Sequence, residues 1–212
     1  MLLRRGVLSG LSVLPFAARG ALAKAVCTYP NDYGIRRCSV GLDIGPIETA
    51  RQRKDHWCWA ASISAIFKMH GHPVDQRRIV DKVFVGVNVD NYGAAGPDIV
   101  TAVDGAWTDD AGRKFAAKGT VLIDAQFGYR NPLATVAAAR QLAADNGLII
   151  GSEGHACVLT EMTYDVSVLT GAYVLWEMTV RDPWPGNVNK RVYRPDEAGL
   201  VAFLCAVTVK TA

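Results

Sequence analysis

The feature that most constrains the fold is a change in hydrophobic periodicity near Gly147. Before it, apolar residues recur at helical spacing; after it, apolar segments are short, and one alternates with period two. This pattern predicts helices at about 58–71, from Pro73 onward, at 96–105 and at 132–145, then strands at 148–150, 155–163, 173–182 and 200–209. Helices followed by a largely antiparallel sheet indicate an α+β fold rather than a doubly wound parallel sheet.

Two further segments are described by their composition. Residues 24–46 are rich in glycine and proline, which predicts a loop-rich lead-in to a domain spanning residues 47–212. Cys27 and Cys38 lie within this lead-in and are close enough in sequence for a local disulfide bond. Residues 113–127 predict an extended segment before the last helix.

The first 23 residues predict a secretory signal peptide. Arg4 and Arg5 give a positive start, residues 6–18 form a short and mostly apolar run, and residues 21–23 offer an A-x-A cleavage site. The run is too short for a membrane anchor, which needs about 20 residues. The paired arginines also match a twin-arginine export signal in part. We therefore expect an exported protein, either periplasmic or secreted.

Export changes the charge of the chain. The full sequence has 23 Lys and Arg against 20 Asp and Glu, and three of those arginines lie in the predicted signal. The mature chain therefore has no net charge and no basic run, which argues against a nucleic-acid partner. We expect a monomer that does not bind a membrane once the signal has been removed.

The segment from Gln52 to Ser62 carries the strongest chemical signal. Cys58 lies where a loop becomes an apolar helix, so its thiol meets the positive end of a helix dipole, which stabilises the reactive thiolate. Gln52 precedes it by six residues, and its amide is placed to donate to a developing oxyanion beside the Cys58 N–H. The alternative for Cys58 is a buried small apolar residue or a disulfide partner.

A cysteine nucleophile needs a base, and His155 is the best candidate. It begins an apolar strand directly after Gly154. His56 is constrained by the loop before Cys58, while His70 and His72 are predicted to mark a solvated helix end, with a weak metal-binding alternative. A satisfied histidine at a strand end is the other interpretation of His155.

Asp182 is the predicted partner of that histidine. It shares the apolar face of its strand, where an unpaired charge is costly. Accepting from His155 would fix the imidazole tautomer, and Trp184 is placed to shield that hydrogen bond from water. The alternative is an Asp-Pro turn that ends the strand, and Asp165 and Asp124 are weaker candidates for the same role.

These motifs together carry a family resemblance. They are Gln52, then Trp57-Cys58-Trp59-Ala60-Ala61-Ser62, Gly154-His155-Ala156 and Asp182-Pro183-Trp184-Pro185-Gly186. In this order, over roughly residues 47–209, they resemble the papain-like cysteine peptidases. The closest resemblance is to the bacterial branch that includes plant-pathogen effector proteases and bacteriocin-leader peptidases.

The resemblance implies a papain-like α+β fold, in which the nucleophile at a helix N-terminus packs on a C-terminal antiparallel sheet. It implies Cys58 as nucleophile, His155 as general base and then acid, Asp182 as orienting residue and Gln52 as oxyanion-hole donor. Papain uses asparagine as the orienting residue, so the aspartate marks a different branch. The implied activity is hydrolysis of peptide bonds in a protein or peptide substrate through an acyl-enzyme, and no cofactor or metal is needed.

Two points stay open from the sequence. Cys157 and Cys205 form either a second disulfide bond or two buried thiols. The function is a cysteine peptidase, a peptidoglycan amidase or endopeptidase on the same framework, or a binding protein with a retired peptidase fold.

Overall fold

The computed structural model describes residues 25–42, 51–85, 92–193 and 195–211. The predicted signal peptide, residues 1–23, lies outside this range. The helices are α1 (Cys58–Met69), α2 (Gln76–Val83), α3 (Gly96–Val103), α4 (Ala134–Ala143) and α5 (Pro195–Gly199). The strands are β1 (Val26–Cys27), β2 (Ile35–Gly41), β3 (Gly105–Thr108), β4 (Lys114–Asp124), β5 (Tyr129–Arg130), β6 (Leu148–Ser152), β7 (His155–Ser167), β8 (Tyr173–Arg181), β9 (Lys190–Val192) and β10 (Val201–Thr211).

The described strands form one antiparallel sheet. Its main order is β1-β2-β7-β6-β10-β4-β3, with β8 paired to β7, β9 to β8 and β5 to β4. The long strand β7 pairs with β6 through its first residues, with β2 through its last residues, and with β8 along its length. The predicted α+β class is therefore confirmed, with α1 packed on an antiparallel sheet built mainly from the C-terminal part of the chain.

Helices cover both faces of this sheet. Trp59, Ile63 and Phe67 of α1 pack in one core with Ile149 of β6, whereas the next residue, Ile150, belongs to a second core with α4. Successive residues of a strand point to opposite faces, so the continuous apolar run of β6 supplies both cores. Such a run is typical of a strand that is covered on both sides.

Helix α1 is buried along nearly its whole length. All residues from Cys58 to Phe67 are buried, as expected for a helix without a polar face. Helix α2 has one apolar side, and the Asp75 side chain begins it by accepting from the Arg77 N–H at 2.9 Å. Because α1 is apolar on all sides, its first residue, Cys58, is buried inside the protein.

The structure differs from the sequence expectations at three places. The lead-in contains β2, which joins the sheet through β7 although its Arg36 and Arg37 side chains are exposed. The face of β8 that was predicted to be buried is buried only from Met178 onward. Trp176, in the first half of the strand, is exposed. His72 is buried rather than solvated. Among the helices in the described ranges, none is long and apolar enough to cross a membrane.

Candidate active site

Cys58 is the first residue of α1. Trp57 precedes it without a capping side chain, and the first turn of α1 holds no acidic residue. The positive end of the helix dipole is therefore not neutralised by an acidic residue of its own first turn. The backbone N–H of Ala156 in β7 donates to the Cys58 Sγ at 3.4 Å. This contact joins the helix start to the beginning of β7.

His155 reaches Cys58 because of the turn between β6 and β7. Ser152 pairs with His155, and Glu153 and Gly154 between them adopt φ angles of 51° and 76°. Two residues with positive φ make the tight turn that matches the twist of a hairpin, and glycine adopts this conformation without strain. The imidazole thus lies at the tip of the hairpin and lines the same cleft as the Cys58 thiol.

Asp182 lies directly after β8 and is fully buried. Its Oδ1 accepts from His155 Nε2 at 2.8 Å and from the Trp184 N–H at 2.9 Å. Its Oδ2 accepts from Asn187 Nδ2 at 2.9 Å and from Arg191 Nε at 2.8 Å. Burial acts against the charge, but these bonds, led by that of His155, hold the pKa of Asp182 well below its usual range. The carboxylate therefore stays ionised beside the histidine.

The same contacts favour a charged imidazole. Burial acts to lower the pKa of His155, but the hydrogen bond with Asp182 and the neighbouring thiols of Cys157 and Cys58 outweigh it, so the pKa lies well above its ordinary value. An imidazolium between a carboxylate and a thiol at a helix start is the arrangement that supports a thiolate–imidazolium pair.

Arg191 completes the network, and no motif in the sequence points to it. It donates to Asp182 on one side, and its Nη1 donates to both carboxylate oxygens of Glu197 at 2.8 and 2.9 Å. The ligand atoms of His155, Cys157 and Asp182 lie within 4.8 Å of one another, as in a metal site. However, the guanidinium of Arg191 already places a positive charge on this carboxylate, so the cluster is better described as a hydrogen-bonded ion network.

Gln52 is placed differently from the expectation. Its buried side chain donates through Nε2 to the Lys54 carbonyl at 3.0 Å and to the Asp55 carbonyl at 2.8 Å. Its Oε1 is buried and has no hydrogen-bond partner among the described residues. Both amide hydrogens therefore stabilise the loop before α1, and the Gln52 amide must rotate before it can donate towards Cys58.

The loops on the two sides of the site are tied together. Arg51 Nη1 donates to the carbonyls of Trp184 at 2.7 Å and Asn187 at 2.9 Å. The buried Gln76 of α2 donates to the Arg51 carbonyl at 2.9 Å and accepts from the Arg53 N–H at 3.1 Å. The segment before Cys58 and the segment after Asp182 thus form one hydrogen-bonded unit that the sequence analysis did not foresee.

The other acids considered for the orienting role lie elsewhere. Asp165 accepts from Arg37 at 2.9 Å and from Trp176 at 2.7 Å on the outer part of the sheet. Asp124 lines the cleft in front of the site. Trp184 meets the His155 ring edge to face, with ring centroids 6.4 Å apart, so an indole lies beside the His155–Asp182 hydrogen bond as expected.

The other histidines have different environments. His56 is exposed in the loop before α1. His70 follows the end of α1, and burial lowers its pKa. His72 is buried, and its Nδ1 lies 3.1 Å from Asp109 Oδ2. The expectation of a solvated helix end is therefore wrong for His72, because its ring stacks on Phe115 of β4 and its Nδ1 faces the buried Asp109.

The cysteines divide into three groups. Cys27 and Cys38 form the predicted disulfide bond. Cys157 and Cys205 are free and belong to different cores on opposite faces of the sheet, so they cannot pair. Burial raises the pKa of both thiols, to about 12 for Cys205, which keeps them protonated at neutral pH. Cys58 is the free cysteine that lines the cleft.

That cleft has a volume of about 650 Å³. Cys58, His155 and Trp184 lie along it, and Asp124 and Phe203 lie in other parts of its wall. Much of the remaining wall consists of residues with small or no side chains, namely Gly93, Ala94, Ala95, Gly96, Gly151, Gly154 and Ala202. A cavity of this size accommodates a few residues of a peptide.

No protein-family profile matches the chain, and no curated protein matches it significantly in sequence. Among solved structures it is similar to a double glycine motif protease from an AMS/PCAT transporter, crystallised with a leader peptide. The two chains share 16% identity with a TM-score of 0.43, over 82% of this chain and 99% of that chain. At these values the functional inference depends on the chain's own residues.

Proposed function

We propose that the protein is an exported cysteine peptidase that hydrolyses peptide bonds through Cys58, His155 and Asp182. One observation carries the proposal: a thiol at a helix start and a histidine bound to a buried carboxylate at 2.8 Å meet in the same cleft. Three segments far apart in sequence supply these groups. The motif resemblance to papain-like cysteine peptidases agrees with this reaction. The structural neighbour does not support the plant-pathogen branch of that resemblance.

The proposed reaction has two halves. The Cys58 thiolate attacks the amide carbon, and the oxyanion is held by the Cys58 N–H at the start of α1. The His155 imidazolium gives its proton to the leaving amine as the C–N bond breaks, which leaves a thioester and a neutral imidazole. His155 then takes a proton from water, and the resulting hydroxide attacks the thioester; the C–S bond breaks, which frees the acid and restores the Cys58 thiolate beside the His155 imidazolium. The buried Asp182 keeps its charge throughout.

Gln52 belongs to the proposal as a second oxyanion donor. Its Nε2 is engaged with the loop carbonyls, while its Oε1 has no partner in the described part of the chain. Rotation of the amide on substrate binding would exchange loop hydrogen bonds for one to the oxyanion. This interaction would form mainly in the transition state, where binding energy accelerates the chemistry.

Export is the second part of the proposal. The Cys27–Cys38 disulfide bond supports it, because such bonds persist mainly in oxidising compartments. The signal at residues 1–23 remains a sequence prediction. An N-terminal sequence of the protein recovered from a periplasmic fraction or the medium would test it, and a start at Lys24 is expected.

The central experiment compares Cys58→Ala with Cys205→Ala. Both variants remove a buried thiol, but only Cys58 lies at the cleft. Digestion of a peptide library should be lost by about 10⁴-fold or more in Cys58→Ala and retained in Cys205→Ala. Iodoacetamide should label Cys58 in the wild type and not in His155→Ala.

Purified peptidoglycan is the second substrate in that experiment. Fragments from peptidoglycan, with no cleavage of peptides or denatured protein, would replace the peptidase proposal by the amidase alternative. Full peptide cleavage by Cys58→Ala would exclude the proposed nucleophile. Failure of Cys58 to react with iodoacetamide while the thiol is reduced would favour a binding protein.

A further inference from the structure

Asp124 is a buried carboxylate that the proposed reaction does not use. It is the last residue of β4 and pairs with Phe203 of β10 at the end of the sheet. Only 8% of its surface is exposed, and it lines the same cleft as Cys58 and His155. Among the described residues no hydrogen bond or ion pair to its side chain is formed, and it does not cap the short helix at Ala125–Phe127 that follows it.

The carboxylate is held close to the start of α3. A Cβ atom at Gly96 would overlap Asp124 Oδ2, so glycine is needed there for space rather than for backbone freedom. At this turn the Ala95 N–H donates to Asp98 Oδ2 at 2.9 Å and not to Asp124. No described N–H group of the turn hydrogen-bonds the Asp124 carboxylate, so the lone pairs of that carboxylate remain available to a ligand.

Apart from the histidines, the ionisable side chains that line the cleft are acidic. Its charged or titratable lining residues are Asp55, Asp124, His56, His155 and the thiol of Cys58. None of the described residues that line it is a lysine or an arginine. A buried carboxylate without a partner is costly, and a cation brought by a ligand would lower this cost by forming a charge-assisted hydrogen bond.

We propose that Asp124 is a specificity-determining residue that binds a cationic group of the peptide substrate. This inference rests on the proposed peptidase function and deepens it, because it names a feature of the substrate. The cation is either the side chain of a lysine or arginine near the scissile bond or the free amino terminus of the peptide. Both groups present N–H donors with a positive charge and bind a carboxylate in the same way.

The test measures binding rather than turnover, so that it also works if no peptide is cleaved. Cys58→Ala is titrated with N-acetylated hexapeptides of Ala and Gly in which one Lys, Gln or Glu is placed at each position in turn. The Gln peptides are also measured with a free amino terminus. Calorimetry should give a Kd about tenfold to hundredfold lower for one Lys position, or for the free amino terminus, than for the neutral peptide.

The same titrations in Cys58→Ala/Asp124→Asn should show no preference for the cationic peptide, while the neutral peptide binds as before. Cys58→Ala/Asp81→Asn is the matched control, since it makes the same change at an exposed acid of α2 and should keep the preference.

Equal binding of Lys, Gln and free-amine peptides would overturn the proposal, as would a preference that survives Asp124→Asn. If Asp124→Asn does not fold, the proposal is decided by the Kd values of the cationic and neutral peptides measured with Cys58→Ala alone. Binding without cleavage by the wild type would instead refute the peptidase function.

Discussion

The described part of the chain contains two histidine–aspartate pairs with a buried carboxylate, and they differ in what surrounds the imidazole. In one pair, His155 Nε2 lies 2.8 Å from Asp182 Oδ1; in the other, His72 Nδ1 lies 3.1 Å from Asp109 Oδ2. Each aspartate is buried, and each also binds an arginine at 2.8 Å, Arg191 and Arg113 respectively. In residue types the two sites are therefore alike, each with a histidine, an aspartate and an arginine.

The surroundings of the ring and the access of solvent separate them. His72 Nε2 lies 3.4 Å from the Thr211 hydroxyl, and its ring stacks on Phe115 at a centroid distance of 4.5 Å. His155 instead lines the cleft together with Cys58. The side chain is 27% exposed for His155 and 6% for His72.

Under the proposed function, this difference indicates what a catalytic pair requires beyond its hydrogen bond. The His72 pair joins the end of α1, the hairpin after β3 and the end of β10, so we expect its role to be structural. The His155 pair lies in a cleft that also contains the proposed nucleophile Cys58. Exchanging the two histidines and the two aspartates for uncharged residues tests this division of roles.

The largest expected effect is that of His155→Gln. Without a base and a proton donor, kcat/KM should fall about 10⁴-fold. The protein should remain folded, because Asp182 keeps its bonds from Arg191, Asn187 and the Trp184 N–H. Steady-state cleavage and far-UV circular dichroism measure the two results. Undiminished cleavage would remove His155 from the mechanism.

Asp182→Asn should reduce both activity and stability. Arg191 keeps Glu197 as a partner, but the buried donors around Asp182 lose their charged acceptor, which should cost about 1–3 kcal/mol in the free energy of unfolding. The variant should also lose kcat, since the imidazolium is no longer stabilised. Urea unfolding and kcat measured well below the melting temperature separate the two losses.

The triple variant Asp182→Asn/Arg191→Met/Glu197→Gln provides the control for that prediction, because Arg191 also pairs with Glu197. Removal of all three charges should restore part of the stability, because replacing a whole buried ion network costs less than breaking it. It should not restore kcat. Recovery of kcat together with stability would show that Asp182 acts only through the fold.

His72→Gln should have the opposite pattern. The free energy of unfolding should fall by about 2 kcal/mol, because a buried hydrogen bond to a carboxylate is lost. The activity per folded molecule should stay within about twofold of the wild type, since His72 lies apart from the cleft residues. Urea unfolding and titration of Cys58 with iodoacetamide check these results. A selective loss of kcat would contradict the structural role.

The smallest effect concerns acid stability. Burial opposes the charge of Asp109, but hydrogen bonds from the Arg113 N–H, His72 and the Ala111 N–H outweigh it and lower the pKa of Asp109 to about 2. The unfolded carboxylate takes up a proton near pH 4, so its contribution is present above about pH 4 and is lost as the pH falls towards 2. Asp109→Asn should flatten the dependence of unfolding free energy on pH in this window. The exposed acid Asp110 provides the control.

The sequence alone was sufficient for the features that depend on neighbours along the chain. The helical period from Cys58 and the apolar run of β6 are local patterns, and both elements lie where they were predicted. The Cys27–Cys38 bond closes a short loop and was also predictable. The order Cys58, His155, Asp182 indicated the candidate residues, whose roles remain to be tested.

The tertiary structure decided which distant residues meet. Strand β2 is exposed on one side and short, so its sequence resembles a loop until β7 supplies its hydrogen bonds. Arg51, Gln76 and Arg191 act on groups in other segments, and no local pattern indicates such partners. The position of Asp124 in the cleft follows from the pairing of β4 with β10. Periodicity reports the environment of a residue within its own element, whereas the order of strands in the sheet determines what that residue touches.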